Sequence, residues 1–174
     1  MSLARHITSV ATVLAVTLLL SSTVQATDIS MANGSVNFTT PDSWLGIMET
    51  QGDPEVRVFQ VPDSSPTGKT ILARVTVTVA DAADVNSFHQ YISEATAKAM
   101  ALPGYKASAL PPGPNSSVYT ARENGETANY VEHYWLKSGH VIQLRCIRPT
   151  QSQAGAAWTA AFDKGCQTIA TRLK

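Results

Sequence analysis

An α+β fold, an antiparallel sheet flanked by helices, is what three features of the chain predict. Several segments alternate apolar and polar residues, Ile71 to Ala80 most clearly. Two pairs of such segments are joined by short turns, around Asn124-Gly125 and Ser138-Gly139, that fold one strand back against the other. Two longer segments repeat apolar residues every three or four positions, Val85 to Ala99 and Trp158 to Leu173.

The chain opens on a targeting segment. Arg5 and His6 form a short basic start, Ile7 to Leu20 an apolar stretch, and Val24-Gln25-Ala26 the small residues a signal peptidase reads, so cleavage is expected after Ala26. The apolar run is too short for a bilayer span, and no later segment is long enough, so no stable membrane insertion is expected once the leader is gone. Residues 27–174 then form a single domain in a periplasmic or secreted setting.

Along that domain, Val36 to Thr40 reads as a strand, Pro41-Asp42-Ser43 as a turn, and Trp44 to Met48 as a second strand. Gln51 to Pro54 is a tight turn leading into Glu55 to Val61, and Asp63 to Lys69 is a loop. Ile71, Ala73, Val75, Val77 and Val79 share one face of the next strand. Asp84 is placed to cap a helix carrying Val85, Phe88, Ile92, Ala95 and Ala99 on one side and ending before Pro103-Gly104. Tyr105 to Leu110 is a candidate strand, broken by the prolines at 111, 112 and 114.

Val118 to Arg122 and Thr127 to Leu136 form a hairpin around Asn124-Gly125, and the Ser138-Gly139 turn pairs the second of these with Val141 to Ile147. With Ser138-Gly139 as the loop, Trp135, His133 and Val131 face Ile142, Leu144 and Cys146 on the core side. Glu132 meets Arg145, and Tyr134 meets Gln143, on the other. The last element, from about Ala154 to Leu173, is a helix with Trp158, Ala161, Phe162, Cys166, Ile169 and Leu173 in a stripe, and Gly165 as its one internal flaw.

Cys146 on the core side of the last strand and Cys166 on the stripe of the last helix are placed to form a disulfide, which an oxidising compartment would preserve. The rival reading, a redox thiol, lacks the Cys-x-x-Cys spacing. No metal centre is expected: His133 and His140 share a face but stand about 13 Å apart, at about 3.3 Å per strand residue, and His89 lies on the first helix. His133 is read as a core histidine.

Composition bounds the function. The 174 residues are 44% apolar and 15% charged, with 13 basic and 13 acidic side chains, enough for one core and without the basic excess that nucleic-acid binding requires. Neither a Gly-x-Ser-x-Gly elbow nor a glycine-rich phosphate loop occurs, so no catalytic residue and no cofactor are assigned. Tyr119, Tyr130, Glu132, Tyr134, Gln143 and Arg145 cluster on the face opposite the core of the last hairpins. This is either a protein-binding patch or a face covered by a helix.

Val36-x-Phe38 with Pro41-x-x-Trp44, a helix after a long strand, Gly125 leading into Tyr130 to Leu136, Gly139-x-Val141-x-x-Leu144 and the terminal Trp158 to Leu173 helix together resemble the PsbP-like superfamily. That group spans a photosystem extrinsic subunit, Ran-binding Mog proteins and bacterial DcrB-like secreted proteins. The resemblance implies an α/β/α sandwich and a binding or adaptor role without catalysis. It carries over no functional residue, and the cysteine pair suggests a secreted bacterial subgroup. The leading expectation is a non-enzymatic periplasmic protein that binds another protein, as a chaperone or an immunity protein for a secreted effector. The alternatives are a small-ligand carrier with a pocket lined by Trp44, Trp135 and Trp158, and a hydrolase.

Overall fold

The structure, a computed structural model, describes residues 26–109 and 113–174. The expected leader lies outside the described residues except for Ala26. The elements run β1 (Ala26–Met31), β2 (Val36–Pro41), β3 (Leu45–Thr50), β4 (Glu55–Gln60), β5 (Arg74–Asp81), α1 (Val85–Met100), β6 (Lys106–Ala107), β7 (Ser116–Glu123), β8 (Glu126–Lys137), β9 (His140–Pro149) and α2 (Gly155–Leu173). Seven strands form one antiparallel sheet in the order β3-β4-β5-β9-β8-β7-β6, and β1 and β2 pair as a separate two-stranded ribbon.

This is the expected α+β architecture, with an addition. Strand β1 has no counterpart in the sequence reading, because only Ile29 and Met31 alternate with polar residues over its six positions. The turn after it takes left-handed backbone at Ala32, Asn33 and Gly34. Consecutive strands β2 and β3 also part company: β2 stays with β1, while β3 joins the large sheet beside β4.

Both short turns hold the left-handed conformations a type I′ turn demands, Asn124-Gly125 at φ 51° and 85° and Ser138-Gly139 at 52° and 77°. They set the register: Val131 faces Cys146, His133 faces Leu144 and Trp135 faces Ile142. Of the strand expected from Tyr105, Lys106 and Ala107 pair with β7 and the Ser108 N–H donates to the Val118 carbonyl at 2.8 Å; Leu110 lies outside the described residues.

The main core lies between one face of the sheet and a layer made of α2 and the β1-β2 ribbon. Met31, Val36 and Phe38 meet Val75, Val77, Ile142 and Leu144 there, under Phe162, Ile169 and Leu173 of α2. The disulfide joins Cys146 on β9 to Cys166 on α2, their Cα atoms 6.4 Å apart. Gly165 has a purpose in this layer: a Cβ there would come within 2.4 Å of the Trp44 indole, so the glycine lets that ring lie against the helix. Ala161, expected in the stripe, is exposed, and Gly165 and Ala170 take the buried positions.

Helix α1 lies on the opposite face. The Asp84 side chain accepts from the Ser87 backbone N–H at 2.8 Å, as a helix cap should. Phe88, Ala95 and Ala99 are buried, while Val85, the first helical residue, is 54% exposed. Ile71 departs from the expected strand face: it follows a short 3-10 turn, Pro66–Lys69, and packs with Ala99 and Tyr119 on the α1 side.

Candidate functional site

Period-two alternation lets each row of the sheet's α1 face be read across the strands. One row runs Met48, Val58, Thr76, Arg145, Glu132 and Ser117, and the next runs Thr50, Val56, Thr78, Gln143 and Tyr134. The two ends of these rows lie in different surroundings.

At the β7-β8-β9 end, α1 closes over the sheet. Tyr119, Tyr130, Glu132, Tyr134 and Gln143, five of the six residues of the expected binding patch, are all buried, with Glu132 at 0% exposure. The patch is therefore a helix–sheet interface, and of its members Arg145 keeps appreciable exposure, 33% of its side chain. The Glu132 carboxylate, taken out of water, is supplied with donors instead: the Tyr119 hydroxyl at 2.8 Å, Arg145 Nε–H at 2.6 Å, and the Tyr134 hydroxyl. Tyr91 of α1 donates to Gln143 Oε1 at 2.9 Å, and Gln143 Nε2–H to the Tyr134 hydroxyl at 3.3 Å, which ties the helix into the network. Tyr119 stacks on Tyr130 with ring centroids 4.7 Å apart.

Electrostatics follow from this packing. Burial, then the adjacent Glu132 charge, pushes the Tyr119 and Tyr134 hydroxyls well above the usual tyrosine range, and burial does the same to Tyr91. For Arg145 burial works against the charge, but the Glu132 carboxylate together with Tyr119 and Tyr134 outweighs it and holds the guanidinium more firmly protonated. A second cluster repeats the pattern at the edge: Arg74 donates to both oxygens of Glu123, at 2.8 and 3.1 Å, and the Tyr130 hydroxyl reaches the same carboxylate at 3.2 Å.

At the β3-β4-β5 end no helix among the described residues closes the same face. The buried residues of α1 group with side chains of β7, β8 and β9, with Ile71 and Ala82, and with Ala80 at the end of β5, none of them from β3 or β4. Val56, Thr76 and Thr78 are half-buried, Val58 is buried among its neighbours in the sheet, and at the margin Leu45 and Met48 are 52% and 50% exposed. Beyond them β3 is an edge strand, interrupted by a bulge between Gly46 and Met48. A groove of about 490 Å³ follows that edge, lined by Ile29, Trp44, Ile47 and Phe59 and also by Met48 and Val58. The sequence marked neither β3 nor this half as a site; the available signal was the apolar Leu45, Ile47 and Met48 in a short strand with no helix assigned to cover it.

The three tryptophans do not line one pocket. Trp44 and Trp158 both pack on Phe162, at 6.2 and 5.8 Å, and the Trp158 Nε1–H donates to the Pro62 carbonyl at 2.8 Å. Trp135 stacks on His133 at 5.6 Å and borders a different depression with Val85, Phe88 and Leu136. His133 is half-buried, and burial holds its pKa below the usual histidine range. His140 Nδ1 instead lies 3.1 Å from a carboxylate oxygen of Asp81, its neighbour across the strands.

No family model and no curated protein sequence matches the chain. Among solved structures, LpqN, involved in cell envelope biogenesis of Mycobacterium tuberculosis, is similar at 16% identity over 83% of this chain and 87% of that one, with a TM-score of 0.46. That is a likeness of outline, and it assigns no role to any residue here.

Proposed function

We propose that this is a non-enzymatic binding protein of an oxidising, extracytoplasmic compartment, which docks another protein on the uncovered β3-β4-β5 half of its sheet. The observation that carries the reading is the contrast on a single face: where α1 lies, the sheet is sealed, and where it does not, apolar side chains stand at the surface beside an unpaired strand edge. Leu45 and Met48 at such a margin favour a partner surface, since monomeric proteins seldom leave grouped apolar side chains in water without a use for them. The Cys146–Cys166 disulfide supports the compartment, because such bonds persist where thiols are not kept reduced. The adaptor role moves from the tyrosine patch to this half, and the tryptophan-lined carrier pocket has no geometric support.

Photo-crosslinking tests the reading. A crosslinker replacing Met48 or Thr78 is expected to yield a specific protein adduct in cells that make this protein, while one at Thr96 on the exposed side of α1 does not. The double substitution Leu45→Glu, Met48→Glu should remove the adduct formed from Thr78. Equal labelling from Thr96, or none from either sheet position, would overturn it.

A further inference from the structure

Arg145 stands at the boundary between the sealed and uncovered halves, and its bonding is unequal on its two sides. Inward, its Nε–H is fixed on the Glu132 carboxylate at 2.6 Å, and that carboxylate is fixed in turn by two tyrosine hydroxyls. Outward, the remaining guanidinium N–H groups have no partner among the described residues, and they are solvent-accessible rather than buried. Arg74, two residues along the neighbouring strand from the residue facing Arg145, is already spent on both oxygens of Glu123. Of the two arginines on this face, Arg145 is therefore the one with uncommitted donors, and its Nε–H bond to Glu132 holds them in place before anything binds. A planar fork of donors, oriented by a buried carboxylate, loses little entropy when it takes a second acceptor. Glu132 offsets part of the arginine's charge but leaves the fork free, and a carboxylate is the group whose two oxygens match it.

Beside Arg145 the row continues through Thr76 and Val58 to Met48, a change from ionic to apolar over three strand spacings, about 14 Å. Resting on the partner-binding reading above, we propose that the partner contributes an acidic, apolar segment: an Asp or Glu side chain engages the outward fork of Arg145, and the flanking apolar side chains lie on Val56 and Met48, over the buried Val58. Thr76 and Thr78, between the two, offer hydroxyls to polar groups of that segment. Arginine anchors of this kind, surrounded by apolar contacts, are where binding energy concentrates in protein interfaces.

Two synthetic peptides separate the anchor from the surface: acetyl-Leu-Val-Glu-Val-Leu-amide and its glutamine counterpart, titrated into the isotope-labelled protein while the Arg145 Nε–Hε signal and the Val58 methyl signals are followed. The glutamate peptide is expected to shift both saturably and to bind about fivefold or more tighter than the glutamine peptide. Thr76→Glu sets a carboxylate directly across from Arg145 in the register and leaves Glu132 in place, so it should remove that preference while the fold persists. Arg145→Lys, which keeps the charge but not the fork, should weaken the glutamate peptide selectively. Equal binding of both peptides would overturn the acidic anchor and leave the uncovered half standing as a binding surface. If neither peptide moves either signal at millimolar concentration while the Met48 and Thr78 crosslinks persist, the anchor fails and the docking reading does not.

Discussion

The two halves of the α1 face are built from neighbouring strands of one sheet with the same alternation, yet one is an interior and the other a surface. Under α1, Glu132, Tyr119 and Tyr134 carry polar atoms into a dry interface and complete one another's hydrogen bonds. Beside it, Met48 and Leu45 carry apolar atoms into water. Polarity and burial are thus inverted relative to the usual rule, and the inversion has a separate cause on each side. A polar group can be buried when its partners are buried with it, and an apolar group can be left exposed when something else is to cover it.

The comparison breaks most readily at Glu132. Glu132→Ala leaves Arg145 without its counter-charge and two buried hydroxyls without an acceptor, and should lower stability by about 3–5 kcal/mol in urea denaturation. A loss under about 1 kcal/mol would mean that the network is not sealed. Reducing the Cys146–Cys166 bond, or replacing both residues by Ser, should cost about 3 kcal/mol for a separation of 20 residues, acting on the opposite face and leaving the Arg145 signal in place.

Alkaline titration distinguishes the halves by their tyrosines. Tyr119 and Tyr134 ionise in the unfolded chain near pH 10, their ordinary value, and only at higher pH in the folded one. The stability they confer is complete below pH 10 and declines as pH rises above it, by at most about 1.4 kcal/mol per pH unit for each. Urea midpoints that stay level between pH 9 and 11 would contradict their burial. Gly165→Ala ought to raise helix propensity, yet the contact with Trp44 predicts a net loss of about 1–2 kcal/mol and a change in indole fluorescence. Smallest of all, Met48→Glu should change stability by no more than about 0.5 kcal/mol while removing partner capture, as expected of a surface residue used for binding.

Much of the scaffold was legible because it depends on local rules. Asn124-Gly125 and Ser138-Gly139 fixed the register of β7, β8 and β9, and that register placed Cys146 on the face that α2 covers. What could not be read was which elements meet without a local signal. Nothing in Ile29 and Met31 announces that β1 pairs with β2 and not with the large sheet, and Gly165 looks like a flaw until Trp44 is set against it. The tyrosine patch shows the same gap. Alternation places Tyr119, Glu132, Tyr134 and Arg145 on one face, but it does not say what lies above them.

By itself, the sequence determined the strands other than β1, the two helices, the reversal points and the pairing of the cysteines, since each depends on dihedral preference or on spacing along the chain. Only the tertiary structure decided that α1 would lie over β7, β8 and β9 and reach no further than the end of β5, away from β3 and β4. The position of a helix across a sheet is set by side-chain packing between segments distant in sequence, and a periodic pattern carries no record of it.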